Sequence, residues 1–400
     1  MSDAILVFNA GSSSLKFAIF ELDDTFRVHV RGSISSLDSN PRMRLAEGTD
    51  GQSSEIPVDS EGFDVKSAAG LVLSHLSGRG FLNAVKTIGH RIVHGGGEFE
   101  GATMLDDAVI AQLHKLIPLA PLHQPRNLEI VAEAAKALPE AKQYGCFDTA
   151  FHHSRPRIAT LYGLPRELAG QGMVSYGFHG ISYAYIASRL RENFGGDAGG
   201  RTIVAHLGSG ASLCAMEKGS SVATTMGFSA LDGLIMSTRC GSLDPGIVLH
   251  LLQDRGMSAD DILELLYNKS GLLGVSGISG DMQTLLASKE PSAREAVDLF
   301  VYRAAQQMAV MASSLGGLDT LVFCAGIGEH SALIREKIAE ATRWLGVEID
   351  PARNARGDED ITASGSKVNV FTMATDEELA VAKEIRSLCT SAYFAACQTH

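Results

Sequence analysis

None of the six cysteines (Cys146, Cys214, Cys240, Cys324, Cys389, Cys397) lies in a Cys-x-x-Cys pair. In a chain of 400 residues that absence argues against a disulfide framework, and most of these positions read as free thiols in apolar or glycine-rich stretches. No apolar run approaches the length of a membrane span. An acidic Asp3, and no basic stretch, precedes the first short apolar run, so no secretory signal is expected and a cytoplasmic enzyme is the default. Positive charge is also short. The 34 Lys and Arg against 46 Asp and Glu give a formal net charge of −12. That balance disfavours broad binding to nucleic acid or a membrane surface, and still allows a local basic pocket for an anionic substrate. There is no GxxxxGK[ST] loop.

What is present is an alternation of strand and helix signals, which favours α/β layers, and a length that favours two domains. Strands are predicted at 5–9, 16–21, 85–93, 143–147, 202–207, 211–216, 320–325 and 368–372. Helices are predicted at 68–76, 106–117, 126–137, 182–193, 259–267, 293–315, 331–345 and 377–388. In the longest, Val297, Phe300, Val301, Ala304, Met308, Met311, Ala312 and Leu315 recur at three- and four-residue steps, so its methionines read as core. Residues 35–62 are rich in Ser, Asp and Gly and read as a peripheral hairpin or loop without chemistry.

One stretch recurs. ILVFNAGSSSLKFAIFE, from Ile5, matches TIVAHLGSGASLCAMEK, from Thr202, without a gap. Each reads as strand, Gly/Ser turn, strand, which suggests a duplicated domain. Such a turn presents backbone N–H groups and hydroxyls to phosphate oxygens, and glycine lets the backbone come close. Its GSGAS lacks the dinucleotide-binding spacing and runs into a strand. A third turn, DTLVFCAGIGEHS, reads as a strand, a glycine turn and a helix beginning near Ser331. Lys16 follows the first turn as a candidate phosphate cation; the competing reading is a solvent-facing lysine.

NAGSSSLKF, GHRIVHGG, APLHQP, FDTAFH, YGFHG, HLGSGAS, TRCGSLDPG, GIGEH and TDEE occur in that order from Asn9 to Glu378. In this the chain resembles the acetate kinase family, short-chain acyl kinases of the actin-like sugar-kinase superfamily. The resemblance implies two ribonuclease-H-like domains with a cleft between them. It puts an N-terminal acyl kinase domain at 1–148, completed by a C-terminal helix 378–400, and a nucleotide-binding domain at 149–377. It also implies a homodimer, domain closure around the substrates, and reversible Mg²⁺-dependent transfer of a phosphoryl group from ATP to acetate, with ADP and acetyl phosphate as products.

The family's pattern falls on named residues. Arg91 and Arg239 are the expected cations, since a guanidinium holds a carboxylate or phosphoryl oxygen in forked geometry. His179 resembles the histidine that binds the transferring group, and His123 a supporting one. Asp148 resembles the family's essential acid. Acetate at neutral pH has no proton to lose, so Asp148 is expected to orient Arg91 or Arg239. Asn9 and Glu377 match the Mg²⁺ positions (Mn²⁺ is an alternative ion), with Glu378 as the adjacent choice. The nucleotide set is Lys16, His206, Leu207, Gly208, Ser209, Gly210, Asp281, Met282, Gln283, Gly326, Ile327, Gly328, Glu329 and His330. Arg91, Val93, Leu122, Phe178 and Ala230 match the acyl pocket.

The chain departs from the family's pattern in five places. Ser209 replaces an asparagine, Gln283 an arginine, His330 an asparagine, Asp376 an asparagine and Ala230 a proline. The smaller Ala230 leads to an expectation of measurable propionate activity, since one methylene is worth only about 1–3 kcal/mol in such a pocket. Competing readings are a propionate- or butyrate-preferring kinase, an actin-like ATP switch and a non-catalytic binding relative. His90, His94, His152 and His153 raise a zinc site, but HRIVH reads as a strand and no third ligand motif accompanies it.

Overall fold

The structure, a computed structural model, describes residues 3–11, 14–37, 40–48, 51, 53–58 and 63–397, with side chains to residue 390. The chain forms two compact units. One runs from the first strand to Phe151 and resumes at Asp376; the other is His152–Thr375.

The first unit holds β1 (Ala4–Ala10), β2 (Ser14–Glu21), β3 (Val28–Ser35), β4 (Arg42–Glu47), β5 (Ser54–Ile56), β6 (Val85–Ile92), β7 (Thr103–Met104) and β8 (Lys142–Phe147). They form one sheet in the order β5-β4-β3-β2-β1-β6-β8-β7. The second unit holds β9 (Arg201–Leu207), β10 (Ala211–Glu217), β11 (Ser220–Thr224), β12 (Thr320–Cys324) and β13 (Asn369–Thr372), ordered β11-β10-β9-β12-β13. In each sheet the first three strands form an antiparallel meander, and two further strands add in parallel on the far side. β3-β2-β1-β6-β8 therefore corresponds strand for strand to β11-β10-β9-β12-β13. β1 and β12 are buried along their whole length, which explains their unbroken apolar sequence.

The repeat is real, but it is not gapless. Ala10 pairs with Leu15, whereas Leu207 pairs with Ala211, so the second turn is one residue shorter. Asn9 faces Lys16, and its counterpart His206 faces Ser212, not Leu213 as an ungapped match requires. A one-residue shift exchanges the two faces of a strand, so a sequence match cannot absorb it. Ser12 and Ser13, in the first turn, lie outside the described residues.

Within 35–62, read as a peripheral hairpin or loop, the structure has a hairpin at the sheet edge: β4 alternates exposed Arg42 and Arg44 with buried Met43 and Leu45, and β5 pairs antiparallel with it. The two-residue period was hidden by the Ser, Asp and Gly around it; residues 38, 39, 49, 50, 52 and 59–62 lie outside the described set. Glycines 326 and 328 are not in a turn. Ala325–His330 is itself a short helix that starts directly after β12, and Ala332–Ala341 follows it. Ala325 takes the left-handed φ of +63° and donates its N–H to Glu329 Oε1 at 2.9 Å. Buried Arg335 donates to the carbonyls of Gly328 and Glu329, both at 2.8 Å, and closes the other end. These partners offset the low helix propensity of glycine.

The Pro291–Leu315 helix buries Val297, Phe300, Val301, Ala304, Met308, Met311 and Ala312, so its methionines are core. No helix among the described residues is long and apolar enough to cross a membrane.

The Glu377–Cys397 helix packs on the first sheet and carries Glu384, which accepts from the Ala102 N–H at 2.7 Å. Burial pushes the Glu384 carboxyl up, with the Ala102 and Cys146 hydrogen bonds opposing. A carboxyl raised by folding favours the native state at low pH, and that advantage is lost as pH rises through the ordinary carboxylate range and beyond. Glu384→Gln keeps the acceptor and removes the charge. Its urea midpoint is expected to exceed wild type at neutral pH and to match it in acid. A midpoint below wild type at neutral pH but equal to it in acid would show that the charge contributes net stability.

Candidate active site

In the first unit the site is built at the carboxyl ends of three neighbouring parallel strands, β1, β6 and β8, where open α/β sheets place ligands. Asn9 is near the end of β1, Arg91 near the end of β6, and Asp148 directly follows β8. Asp148 is 1% exposed and grips Arg91 on two edges: Nε at 3.0 Å from Oδ1 and Nη2 at 2.7 Å from Oδ2. Arg91 Nη1 donates to Asn9 Oδ1 at 3.0 Å and lies 3.4 Å from Glu377 Oε2. Burial alone would depress the guanidinium, but Asp148 and then Glu377 outweigh it and hold it above its ordinary value. The arginine side chain keeps 13% of its exposure, so the cation is immobilised and still reachable.

Asn9 Nδ2 donates to Glu377 Oε2 at 2.9 Å and to Glu378 Oε1 at 2.6 Å. Burial pushes the Glu378 carboxyl up, with the charge of Lys16 and the Asn9 bond opposing. Lys16 is exposed on β2, opposite Asn9. The oxygen donors of Glu377 suit a hard divalent cation, and its side chain is 13% exposed. Glu378 is more deeply buried. Asn9 turns its oxygen to Arg91, so it fits better as the group that orients both partners. Asp376, where the family pattern has asparagine, pairs with Arg31 at 2.6 Å and caps the helix through the Leu379 N–H at 2.9 Å.

His123 precedes the Gln124–Ala137 helix, beside half-buried Leu122. Sequence reasoning missed the first turn of that helix. Asn127 Oδ1 accepts from the Val93 N–H at 3.0 Å, and buried Gln124 bonds both backbone groups of His94, at 3.2 and 3.0 Å. These amides pin the chain just after Arg91. Their signal was two amide side chains three residues apart at a helix start. His90 and His94 do not act as a metal pair: His90 Nε2 meets Gln143 Oε1 at 2.6 Å, and His94 Nδ1 accepts from the Gly96 N–H at 2.9 Å. Burial lowers each to about 4. In the second unit His152 bonds Ser221 and the Phe178 carbonyl, both at 2.9 Å.

The second unit gathers His179, His206, Arg239 and the turn at Gly208–Gly210. His179 caps the Gly180–Phe194 helix in a left-handed conformation, φ +60°. Its ring stacks on that of His206, with centroids 4.2 Å apart. A Cβ on Gly210 would stand 3.2 Å from His179 Nε2 and 3.3 Å from Arg239 Nη2, so the imidazole and the guanidinium converge there. Ser209 is exposed at the tip, and its carbonyl accepts from the Ser237 N–H at 3.1 Å, tying the turn to the loop that carries Arg239. Arg239 Nη1 donates to the Ala230 carbonyl at 2.7 Å. Gly271 has φ +64°, and its missing Cβ lets the Arg239 backbone pass.

The other residues of the expected nucleotide and pocket set stand on several elements of the two units. Gly208 lies against Ala325, at the head of the Ala325–His330 helix that contains Gly326, Ile327, Gly328, Glu329 and His330. Leu207 and Met282 are core residues. Asp281 is committed to capping the Met282–Ala287 helix, accepting from Thr284 at 2.8 Å, and Gln283 is exposed on its first turn. Val93 and Phe178 are buried.

The family model described as "Acetokinase family" matches residues 4–383. The chain belongs to the acetokinase family. An acetate kinase of Rhodopseudomonas palustris (strain TIE-1) is 49% identical over 391 residues, 96% of this chain and 98% of that protein. Among solved structures, a propionate kinase from Francisella tularensis superposes with a TM-score of 0.88 at 33% identity, covering 96% of this chain and 99% of the other. Acetate kinase from Porphyromonas gingivalis superposes with a TM-score of 0.83 at 34% identity, covering 96% and 98%. The fold is thus that of the acetokinases, mixed α/β on two sheets. Both clusters, Arg91 with Asp148 and His179 with Arg239, lie within the matched residues.

Proposed function

We propose that this chain is an acetate kinase, catalysing reversible, direct in-line transfer of the ATP γ-phosphoryl group to acetate. One observation carries the reading: Arg91, a cation fixed by buried Asp148 and still reachable, is a ready site for a carboxylate. An ATP switch has no use for one. An acetate oxygen forms the new bond to phosphorus while the bond to the ADP oxygen breaks. The acid arrives ionised, so no proton is transferred, and Asp148 acts by orienting Arg91. His179 and Arg239 serve the phosphoryl oxygens in the second unit, where negative charge spreads in the transition state. The 1–148 segment with the C-terminal helix is assigned to the acid, and 149–377 to the nucleotide. Glu377, with Asn9 beside it, would hold Mg²⁺ (or Mn²⁺), which when bound supplies charge neutralisation for the polyphosphate.

The test is ATP-dependent formation of acyl phosphate, trapped with hydroxylamine, for acetate, propionate and butyrate, with an EDTA control. Product that needs both acid and magnesium is expected, with acetate preferred and propionate active. ATP hydrolysis indifferent to the acid would favour a switch instead.

The protein is assigned to the cytoplasm as a homodimer. The Pro245–Gln253 helix supports the dimer: it is strongly apolar, yet Ile247, Leu249 and Leu252 are 45%, 53% and 40% exposed. Such a patch on one element marks an association surface. Leu249→Asp is expected to halve the sedimenting mass without unfolding the chain. An unchanged mass would remove this helix from the interface.

A further inference from the structure

Two hydroxyls lie behind His179. Ser212 Oγ is 2.8 Å from His179 Nδ1 and 2.5 Å from Tyr183 Oη, and both residues are fully buried. Ser212 stands on β10 and Tyr183 on the Gly180–Phe194 helix, so the row is held by two different elements. The arrangement is reciprocal: His206, on β9, is held by Ser182 Oγ at 2.8 Å from Nδ1. The helix supplies a serine for the sheet's histidine, and the sheet supplies a serine for the helix's histidine.

A hydroxyl has one hydrogen to give. A serine that accepted from both neighbours would bury its own hydrogen without an acceptor, so two polarities remain for the row. If Tyr183 donates to Ser212, the serine hydrogen is free for His179 Nδ1, and the neutral ring carries its proton on Nε2. If Ser212 donates to Tyr183, the serine must accept from Nδ1–H, and Nε2 is left as a bare lone pair. Nε2 is the atom beside Gly210 and Arg239. A lone pair there would repel a phosphoryl oxygen, and an N–H would bind one. Burial also holds the Tyr183 phenol well above its ordinary value, so it keeps a hydrogen to donate. The other route to a donor is an imidazolium at His179, whose Nδ1–H would also donate to Ser212 and whose nitrogen spectrum differs from that of the neutral ring.

We propose that Ser212 and Tyr183 are positioning residues that hold His179 as its Nε2–H tautomer, so that a neutral imidazole donates to the transferring group. The importance of the donor rests on the kinase reading of His179; the tautomer does not.

The experiment is long-range ¹H–¹⁵N correlation of the full-length protein labelled at histidine nitrogen, with His179 assigned from a His179→Gln spectrum. Wild type is expected to show the Nε2–H pattern, and Ser212→Ala to lose it. In the hydroxylamine assay Ser212→Ala should lower kcat about tenfold or more while both KM values stay within about twofold. Tyr183→Phe keeps Ser212 and the ring packing, and should show a smaller fall of the same kind. A wild-type Nδ1–H pattern overturns the proposal, as does a Ser212→Ala or Tyr183→Phe protein with wild-type kcat. An Nε2–H pattern that Ser212→Ala abolishes, in a protein that forms no acyl phosphate, would keep the positioning role and reject the kinase reading.

Discussion

Asp148→Asn is expected to lower kcat by about 10²- to 10³-fold and to cost about 3 kcal/mol of folding stability. The carboxylate receives Arg91 Nε and Nη2 on separate oxygens, at 3.0 and 2.7 Å. An amide offers one acceptor and turns an NH₂ group at the other N–H, donor against donor. The guanidinium then loses its fork and keeps Glu377, 3.4 Å from Nη1, as its neighbouring carboxylate. Because acetate brings no proton, the loss should be the same at about pH 6.5 and about pH 8.5. Kinetics at both values, with urea melts of the same protein, check this. A deficit confined to one pH would make Asp148 a proton carrier; an unchanged kcat would remove Arg91 orientation from the mechanism.

Gly210→Ala is expected to cost about 10² in kcat with almost no change in stability. The added methyl would sit 3.2 Å from His179 Nε2 and 3.3 Å from Arg239 Nη2. Both tips must retreat by a few tenths of an ångström, and the methyl fills the space where they converge. The backbone of Gly210 is not in the left-handed region, so alanine is accepted there without strain. Loss of activity with a wild-type urea midpoint is the expected pair of results. Full activity would mean that the space above Gly210 is not used.

The residues of both clusters were legible because they lie in short contiguous motifs. GHRIVHGG, FDTAFH and YGFHG carry Arg91, Asp148 and His179 whatever surrounds them. The strands beside them were legible too, since β1 and β12 are buried on both faces and stay apolar throughout. β4 was legible only as part of a hairpin or loop, because Met43 and Leu45 alternate with arginines inside a polar stretch. The Ala325–His330 helix was missed because two glycines argue for a turn, and Glu329 and Arg335, which stabilise it, act through side-chain bonds that no propensity contains.

By itself the sequence determined the family, the α/β class, the duplicated strand–turn–strand unit and the residue types available for phosphoryl transfer. These depend on local composition, spacing and order along the chain. The tertiary structure alone decided the partners. Asp148, expected to orient Arg91 or Arg239, holds Arg91 across 57 positions, and Asn9 reaches Glu377 and Glu378 across 368 and 369. Ser212 rather than Leu213 stands opposite His206 and reaches His179, because the second turn is one residue shorter. A hydrogen bond is selected by distance and angle at its two ends, and those are set by strand register and packing, which a motif does not record.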